Sequence, residues 1–211
     1  MSDISSELQK QLSARAEAYY PNVLPYHNWD HALDMMSTVA SLADMSFHPE
    51  IRDKRNLLIV TAAWHDAEYA TEDLGDFVSK EERSAYLAVK SLPELSDEDA
   101  EMLFSGIIDT TVIRRPKSSL FGELTHAADV GYLAAPLAHF MGRLTLMREE
   151  WGSPSWEATV ERTVLFAQEV IEDSKEFMPK VLSDSDTHAW VSQIESNLQD
   201  LTIKLDANEL T

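Results

Sequence analysis

The chain of 211 residues contains no cysteine and only 6 glycines. Without cysteine it can form no disulfide, no thiolate nucleophile and no cysteine-based zinc site, so any metal must be bound by histidine, aspartate or glutamate. It also lacks the Asn-Gly dipeptide that marks tight β-hairpins. These absences argue against a disulfide-stabilised scaffold and against a protein built from hairpins.

Long apolar runs and positive charge are scarce as well. No run approaches the roughly 18 apolar residues that cross a bilayer, and the first residues lack the basic flank and apolar core of a signal peptide. We therefore expect a cytoplasmic protein with no membrane partner. The 37 acidic residues outnumber the 17 basic ones and give a formal charge of −20. This charge repels phosphate backbones, so no nucleic acid partner is expected.

Helical periodicity dominates what is present. Apolar residues recur at helical spacing from Trp29 to Met45, and Ser79 and Ser96 begin sequences typical of helix N-termini. The run LLIVTAAW, residues 57–64, is apolar on nearly all sides; we interpret it as a buried helix because no turn pair or alternating partner strand is nearby. We predict an all-α fold, a single domain over residues 1–211 with roughly seven to nine helices.

Polar side chains interrupt this apolar pattern at three places. His31 follows the loop-like PNVLP in YHNWDH, His65-Asp66 ends LLIVTAAW, and Asp129 lies within THAADVG. Buried imidazoles and carboxylates are costly unless they are paired or bind a metal. A hydrogen-bonded His-Asp pair is the structural alternative for the dipeptide alone. If three helices converge, however, two imidazoles and two carboxylates surround one point, which suits Mn²⁺, Fe²⁺, Co²⁺, Ni²⁺ or Zn²⁺.

The order His…His-Asp…Asp resembles the HD superfamily of metal-dependent phosphohydrolases. More narrowly, the chain looks like a small branch that opens with Tyr-His-Asn-x-x-His and continues with His-Asp-x-x-Tyr and Glu-x-x-Ser-Ala. Here these stretches are residues 26–31, 65–69 and 81–85. The resemblance covers residues 26 to about 135 and implies an HD-type helical bundle on whose core the helices of residues 136–211 pack.

The resemblance implies an enzyme that cleaves a phosphoester or phosphoanhydride of a nucleotide or similar small phosphorylated metabolite by attack of a metal-bound water. One divalent transition metal would be bound by His31, His65, Asp66 and Asp129. Asp66 would also act as a base, with further proton acceptors among Glu68, Glu81 and Glu82. Ala127 occupies a position where relatives often carry a second acidic residue, which argues against a second metal.

Substrate contacts are expected from polar and aromatic residues near these ligands and from the densest basic group in the chain, RRPK. The predicted substrate-binding residues are Tyr26, His27, Asn28, Tyr69, Arg83, Arg114, Arg115 and Lys117. For RRPK, a solvated loop between helices is the competing interpretation.

Two other functional classes stay open at this stage. One is a non-catalytic sensor or interaction module that retains the pocket, and the other is an HD-type diiron oxygenase. The oxygenase would need further histidine ligands between His65-Asp66 and Asp129, where only His126 is found. The sequence leaves the substrate, the native metal and the oligomeric state open, a homo-oligomer included.

Overall fold

The computed structural model describes residues 4–20, 23–71, 73–111, 117, 119–153 and 155–210. All regular elements in these ranges are helices, ten of them α and three short 3-10 turns, and no strand occurs among the described residues. The prediction of an all-α fold is therefore confirmed. The ten α-helices exceed the roughly seven to nine predicted. They include the five-residue helix Pro49–Asp53, which is too short to show a periodic pattern in sequence.

The α-helices, in chain order, are α1 Ser6–Ala16, α2 Trp29–Met45, α3 Pro49–Asp53, α4 Arg55–Trp64, α5 Lys80–Ser91, α6 Asp97–Ile108, α7 Leu120–Asp129, α8 Leu137–Glu150, α9 Trp156–Phe177 and α10 Asp184–Asp206. The 3-10 helices are Glu17–Tyr19, Val130–Ala134 and Met178–Lys180. The described residues fall into two compact units, one ending at Asp129 and the other beginning at Val130. The single domain expected from sequence, with residues 136–211 packed on its core, stays a prediction.

The first unit is organised around α4. Every residue of α4 from Leu57 to Trp64 is buried, and this helix packs against α1, α2, α6 and α7. The run LLIVTAAW is thus the central helix, as the sequence predicted. A helix that is apolar on all sides needs neighbours on all sides, and four of them here bury it. The ends of α2, α4 and α7 carry the polar residues singled out above.

Side-chain caps define where several of these helices begin. Ser79 Oγ accepts a hydrogen bond from the Glu82 amide (3.1 Å), and the Glu82 carboxylate accepts one from the Val78 amide (2.7 Å). Ser96 caps α6 in the same way through the Asp99 amide, at 3.2 Å. Each cap satisfies amides that have no partner within the helix. The helix starts predicted at Ser79 and Ser96 are both confirmed.

The second unit contains α8, α9 and α10. Asn197, buried on α10, donates hydrogen bonds to the carbonyl oxygens of Leu133 and Ala135, both at 2.8 Å. These bonds tie α10 to the 3-10 helix Val130–Ala134 within the unit. No helix in the described part of the chain combines the length and apolar character needed to cross a membrane.

Candidate metal centre

His31 is held in place by the start of α2. It is the third residue of that helix and is almost fully buried, at 3% exposure. The side-chain oxygen of Asn28 accepts hydrogen bonds from the amides of Asp30 (2.9 Å) and His31 (3.3 Å), while its nitrogen donates to the carbonyls of Leu24 and Pro25. Asn28, predicted to contact the substrate, therefore uses its whole amide to fix the backbone that carries His31.

His65 and Asp66 occupy the turn in which α4 ends. The carbonyl of Ala62 can only accept a hydrogen bond, so the 2.8 Å contact with His65 Nδ1 places a proton on Nδ1. In the neutral imidazole, Nε2 then carries a lone pair directed away from the helix. A histidine with its other nitrogen donating to a backbone carbonyl is the usual arrangement of a metal ligand.

Asp129 is the last residue of α7, so its carboxylate reaches the same region from a third helix. Its side chain is 19% exposed, whereas those of His31, His65 and Asp66 are exposed by 8% or less. The cluster formed by His31, His65, Asp66 and Asp129 is thus closed on the side of α2 and α4. Asp129 is its most exposed member.

Atoms of all four side chains lie close to the two imidazole nitrogens. His31 Nε2 lies 3.2 Å from His65 Nε2, 3.1 Å from Asp129 Oδ1 and 3.6 Å from Asp66 Oδ2. His65 Nε2 lies 3.0 Å from Asp66 Oδ2 and 3.4 Å from Asp129 Oδ1. Atoms bound to one ion at about 2.1 Å are separated by about 3.0 Å in octahedral and about 3.4 Å in tetrahedral geometry. The observed separations therefore fit a shared divalent ion, and His31, His65 and Asp66 form a group able to bind one.

Burial and the neighbouring charges act differently on the two imidazoles. Burial lowers the pKa of His31, and the hydrogen bond to Asp129 only partly offsets it. Burial also acts on His65, but the carboxylates of Asp66 and Asp129 outweigh it and hold the pKa of His65 well above its usual value. Because two charged rings 3.2 Å apart would repel each other, the pair takes up one proton rather than two.

The two carboxylates stay charged in this setting. Burial by itself would raise the pKa of Asp129, but hydrogen bonds with His31 and His65 outweigh burial and hold it well below its usual range. The pKa of Asp66 is also lowered, since the effect of His65 exceeds that of burial. Two buried carboxylates beside two imidazoles carry the charge that a divalent cation would neutralise.

An aromatic wall adjoins His31. Tyr26 lies against the His31 ring, with centroids 4.6 Å apart, and His27 stacks on Tyr69 at 3.6 Å with planes 11° apart. Lys80 Nζ lies 4.0 Å from the centre of the same Tyr69 ring. Since His27 covers one face of Tyr69, the ammonium must lie on the other. Neither face of Tyr69 is open to a substrate ring, and this side chain instead buttresses His27.

The predicted proton acceptors other than Asp66 have partners of their own. Glu68 Oε2 lies 3.0 Å from Arg83 Nε and accepts a hydrogen bond from the Thr71 hydroxyl at 2.6 Å. The Glu82 carboxylate accepts the Val78 amide, as described above, and Glu81 lies half-buried in the first turn of α5. Arg83, predicted to bind substrate, is thus an ion-pair partner of Glu68.

The basic group RRPK is only partly within the described residues. Arg114 and Arg115 lie outside them, so their predicted contact with the substrate stays a prediction. Lys117 Nζ donates to the Thr111 carbonyl at 3.1 Å. The contacts of Lys117 thus include one within its own loop.

Two residues in contact with this region were not singled out from sequence. The hydroxyl of Tyr20 accepts a hydrogen bond from the Asp66 amide at 3.2 Å, and Lys80 covers Tyr69. Neither had a sequence signal: Tyr20 precedes a proline-containing loop and stands 46 positions from Asp66. Lys80 is one lysine in an acidic helix start.

Comparison with known proteins supports the fold alone. No protein-family model matches the chain, and no curated protein matches it. A crystal structure of a protein from Lactobacillus plantarum, determined as a structural genomics target, is similar to it with a TM-score of 0.63 at 14% identity. The match covers 97% of this chain and 99% of the other. At this identity the similarity shows a shared all-α fold and carries no activity from one protein to the other.

Proposed function

We propose that the protein is a metal-dependent phosphohydrolase of the HD type, acting on a phosphoester or phosphoanhydride of a nucleotide or another small phosphorylated metabolite. The observation that carries the proposal is the group of His31, His65 and Asp66, whose ligand atoms lie close enough to bind one ion, with Asp129 Oδ1 within 3.4 Å of both imidazole nitrogens. Hydrogen bonding of His65 Nδ1 to a carbonyl supports it, because it leaves Nε2 for the metal.

The four side chains would hold the ion and leave positions for water and a phosphate oxygen. A divalent ion so bound lowers the pKa of water and polarises the phosphate. Of the carboxylates predicted as proton acceptors, Asp66 belongs to the cluster, whereas Glu68 and Glu82 are held by Arg83 and the Val78 amide. We therefore assign to Asp66 the orientation of the attacking water, beside its role as ligand.

His27 is the second polar group that we place next to the substrate. Its ring lies 5.8 Å from that of His31, nearly perpendicular to it, and is half-buried. Held by Tyr69, it is positioned to donate a hydrogen bond to a phosphate oxygen without replacing a ligand. A hydrogen-bond donor near the cluster matters in a chain of charge −20, since an anionic substrate is otherwise repelled.

The test is release of phosphate, pyrophosphate or triphosphate from a panel of nucleotides and small phosphorylated metabolites. Metal-stripped protein is resupplied with Mn²⁺, Co²⁺, Ni²⁺, Fe²⁺, Zn²⁺ or Mg²⁺, and bound metal is counted in the same samples. We expect metal-dependent release that disappears in His65→Ala. His48→Ala removes a histidine outside the cluster, on the loop before α3, and should retain activity.

Failure of the test has a defined meaning. Protein that is loaded with metal and releases nothing from any compound contradicts the hydrolase proposal. If it binds one of the compounds tightly without turnover, the sensor function is favoured.

A cytoplasmic location and a single metal per chain belong to the same proposal, as does the absence of nucleic acid and membrane partners.

A further inference from the structure

The two adjacent ligands His65 and Asp66 pose a geometric problem. Consecutive side chains of an α-helix point about 100° apart, because the helix has about 3.6 residues per turn. The two side chains must therefore bend toward each other to face one ion. In the structure α4 ends at Trp64, and both side chains turn to the cluster, with His65 Nε2 3.0 Å from Asp66 Oδ2.

Two side-chain hydrogen bonds hold this turn. One is the bond from His65 Nδ1 to the Ala62 carbonyl, which occupies an acceptor at the end of α4. The other is the bond from the Asp66 amide to the hydroxyl of Tyr20. The first bond fixes the imidazole, and the second fixes the backbone of the residue that bears the carboxylate.

Tyr20 lies between two segments that carry ligands. It follows the 3-10 helix Glu17–Tyr19 and is 6% exposed. Its ring lies 5.4 Å from the ring of Trp29, the first residue of α2, two positions before His31. Tyr20 thus touches the start of α2 with its ring and the end of α4 with its hydroxyl.

The hydroxyl of Tyr20 serves as the acceptor in this bond, 3.2 Å from the Asp66 amide nitrogen. A neutral phenol oxygen accepts the Asp66 amide without adding a negative charge beside two carboxylates.

We propose that Tyr20 is a positioning residue of the metal centre, whose hydroxyl fixes the backbone of Asp66 so that its carboxylate meets the ion together with His65. This inference rests on the proposed metal centre and extends it to the segment before α2, outside the residues that resemble the HD superfamily. Groups that orient metal ligands typically change metal affinity by about tenfold to hundredfold when removed. We expect a loss of this size on removal of the Tyr20 hydroxyl.

The test compares two single-oxygen deletions at adjacent positions, Tyr20→Phe and Tyr19→Phe. Tyr19 packs on Trp64 with ring centroids 5.3 Å apart and is 39% exposed. Co²⁺ is titrated into each metal-stripped full-length protein in competition with a chelator, and the visible absorption bands of bound Co²⁺ are recorded. Tyr20→Phe should bind Co²⁺ about tenfold or more weakly, with shifted bands, while Tyr19→Phe should match the wild type in both.

The outcomes separate this inference from the proposal on which it rests. Wild-type protein that binds no Co²⁺ contradicts the metal centre itself. Wild type and Tyr20→Phe with equal affinity and identical bands overturn the role of Tyr20 and leave the metal centre standing. The positions of the absorption bands do not depend on the folded fraction, so partial unfolding of Tyr20→Phe does not obscure the comparison.

Discussion

The Nε2 atoms of His31 and His65 lie 3.2 Å apart, and Asp129 Oδ1 is within 3.4 Å of both. Two imidazole nitrogens this close hold between them either a hydrogen, in a hydrogen bond, or a metal ion. A proton and a metal ion exclude each other from His65 Nε2. Metal binding and protonation of the cluster are therefore linked.

This linkage predicts that metal affinity rises with pH. Because the pKa of His65 is held well above 6.5, metal binding near neutral pH must release about one proton. The apparent affinity should increase as pH rises toward the folded-state pKa of His65 and level off above it. Calorimetric titrations with Mn²⁺ or Co²⁺ in buffers of different ionisation enthalpy measure the protons released. An affinity that is independent of pH, with no proton release, contradicts the prediction.

The raised pKa of His65 also predicts how the stability of the metal-stripped protein changes with pH above about 6.5. A raised folded-state pKa stabilises the fold fully below the unfolded value, and this contribution is lost as pH rises through the folded value. His31, with a lowered pKa, is neutral in both states over this range and contributes nothing. Urea unfolding of chelated protein should therefore show stability falling with pH, and saturating metal should remove the trend. His65→Ala should lose this dependence as well.

The two histidines of YHNWDH should respond differently to substitution. His31 Nε2 belongs to the cluster, whereas His27 contacts His31 through its ring edge and stacks on Tyr69. His31→Ala should abolish metal binding, and His27→Ala should retain the metal while turnover falls by about a hundredfold to a thousandfold, the range for a lost transition-state contact. Metal analysis and initial rates on the same samples test this. Equal metal loss in both variants would contradict the assignment of His31 as a metal ligand and His27 as a substrate contact.

The cluster of polar side chains was predictable because its members border or end apolar helical segments. His65-Asp66 ends LLIVTAAW and Asp129 ends α7, so burial of these groups demands a partner. Convergence of α2, α4 and α7 followed once the run was interpreted as a helix. Asn28 was also visible in the motif, but its function as the cap of α2 depends on backbone atoms that no side-chain pattern records.

Other parts of the site could not be predicted for a physical reason. The bond between Tyr20 and Asp66 joins residues 46 positions apart with three α-helices between them, and no local sequence pattern records such a contact. Lys80 reaches Tyr69 only because α5 begins beside the turn that follows Asp66. The sequence pattern also does not mark the end of α7 at Asp129, where a 3-10 helix follows.

The stack of His27, Tyr69 and Lys80 should act as one unit. Tyr69→Ala removes the ring that holds His27, so turnover should fall nearly as far as in His27→Ala, with metal still bound. Tyr69→Phe keeps the stack and should have near wild-type rates. In the double variant His27→Ala/Tyr69→Ala the effects should not add, since residues that work through each other are coupled. Additive losses, measured as kcat/KM, would show that Tyr69 acts on its own.

Arg83 has two candidate roles, action through its ion pair with Glu68 and binding of the substrate phosphate, and substitutions distinguish them. Its guanidinium lies 3.0 Å from Glu68 Oε2 and also donates to the Asp73 carbonyl, which ties α5 to the turn after Asp66. If Arg83 acts through this pair, Arg83→Ala and Glu68→Gln should lower kcat to a similar extent, by a few fold, with KM little changed. If Arg83 binds phosphate, Arg83→Ala alone should raise KM.

Arg114→Ala and Arg115→Ala serve as the comparison for phosphate binding. These residues belong to the densest basic group in an acidic chain, and we expect both substitutions to raise KM while kcat is retained. Steady-state kinetics of the four variants at saturating metal therefore separate the positioning of the His65-Asp66 turn from recognition of the substrate charge. A rise in KM confined to Arg83→Ala would place phosphate binding at α5, whereas a rise confined to Arg114→Ala and Arg115→Ala would assign it to the basic group RRPK.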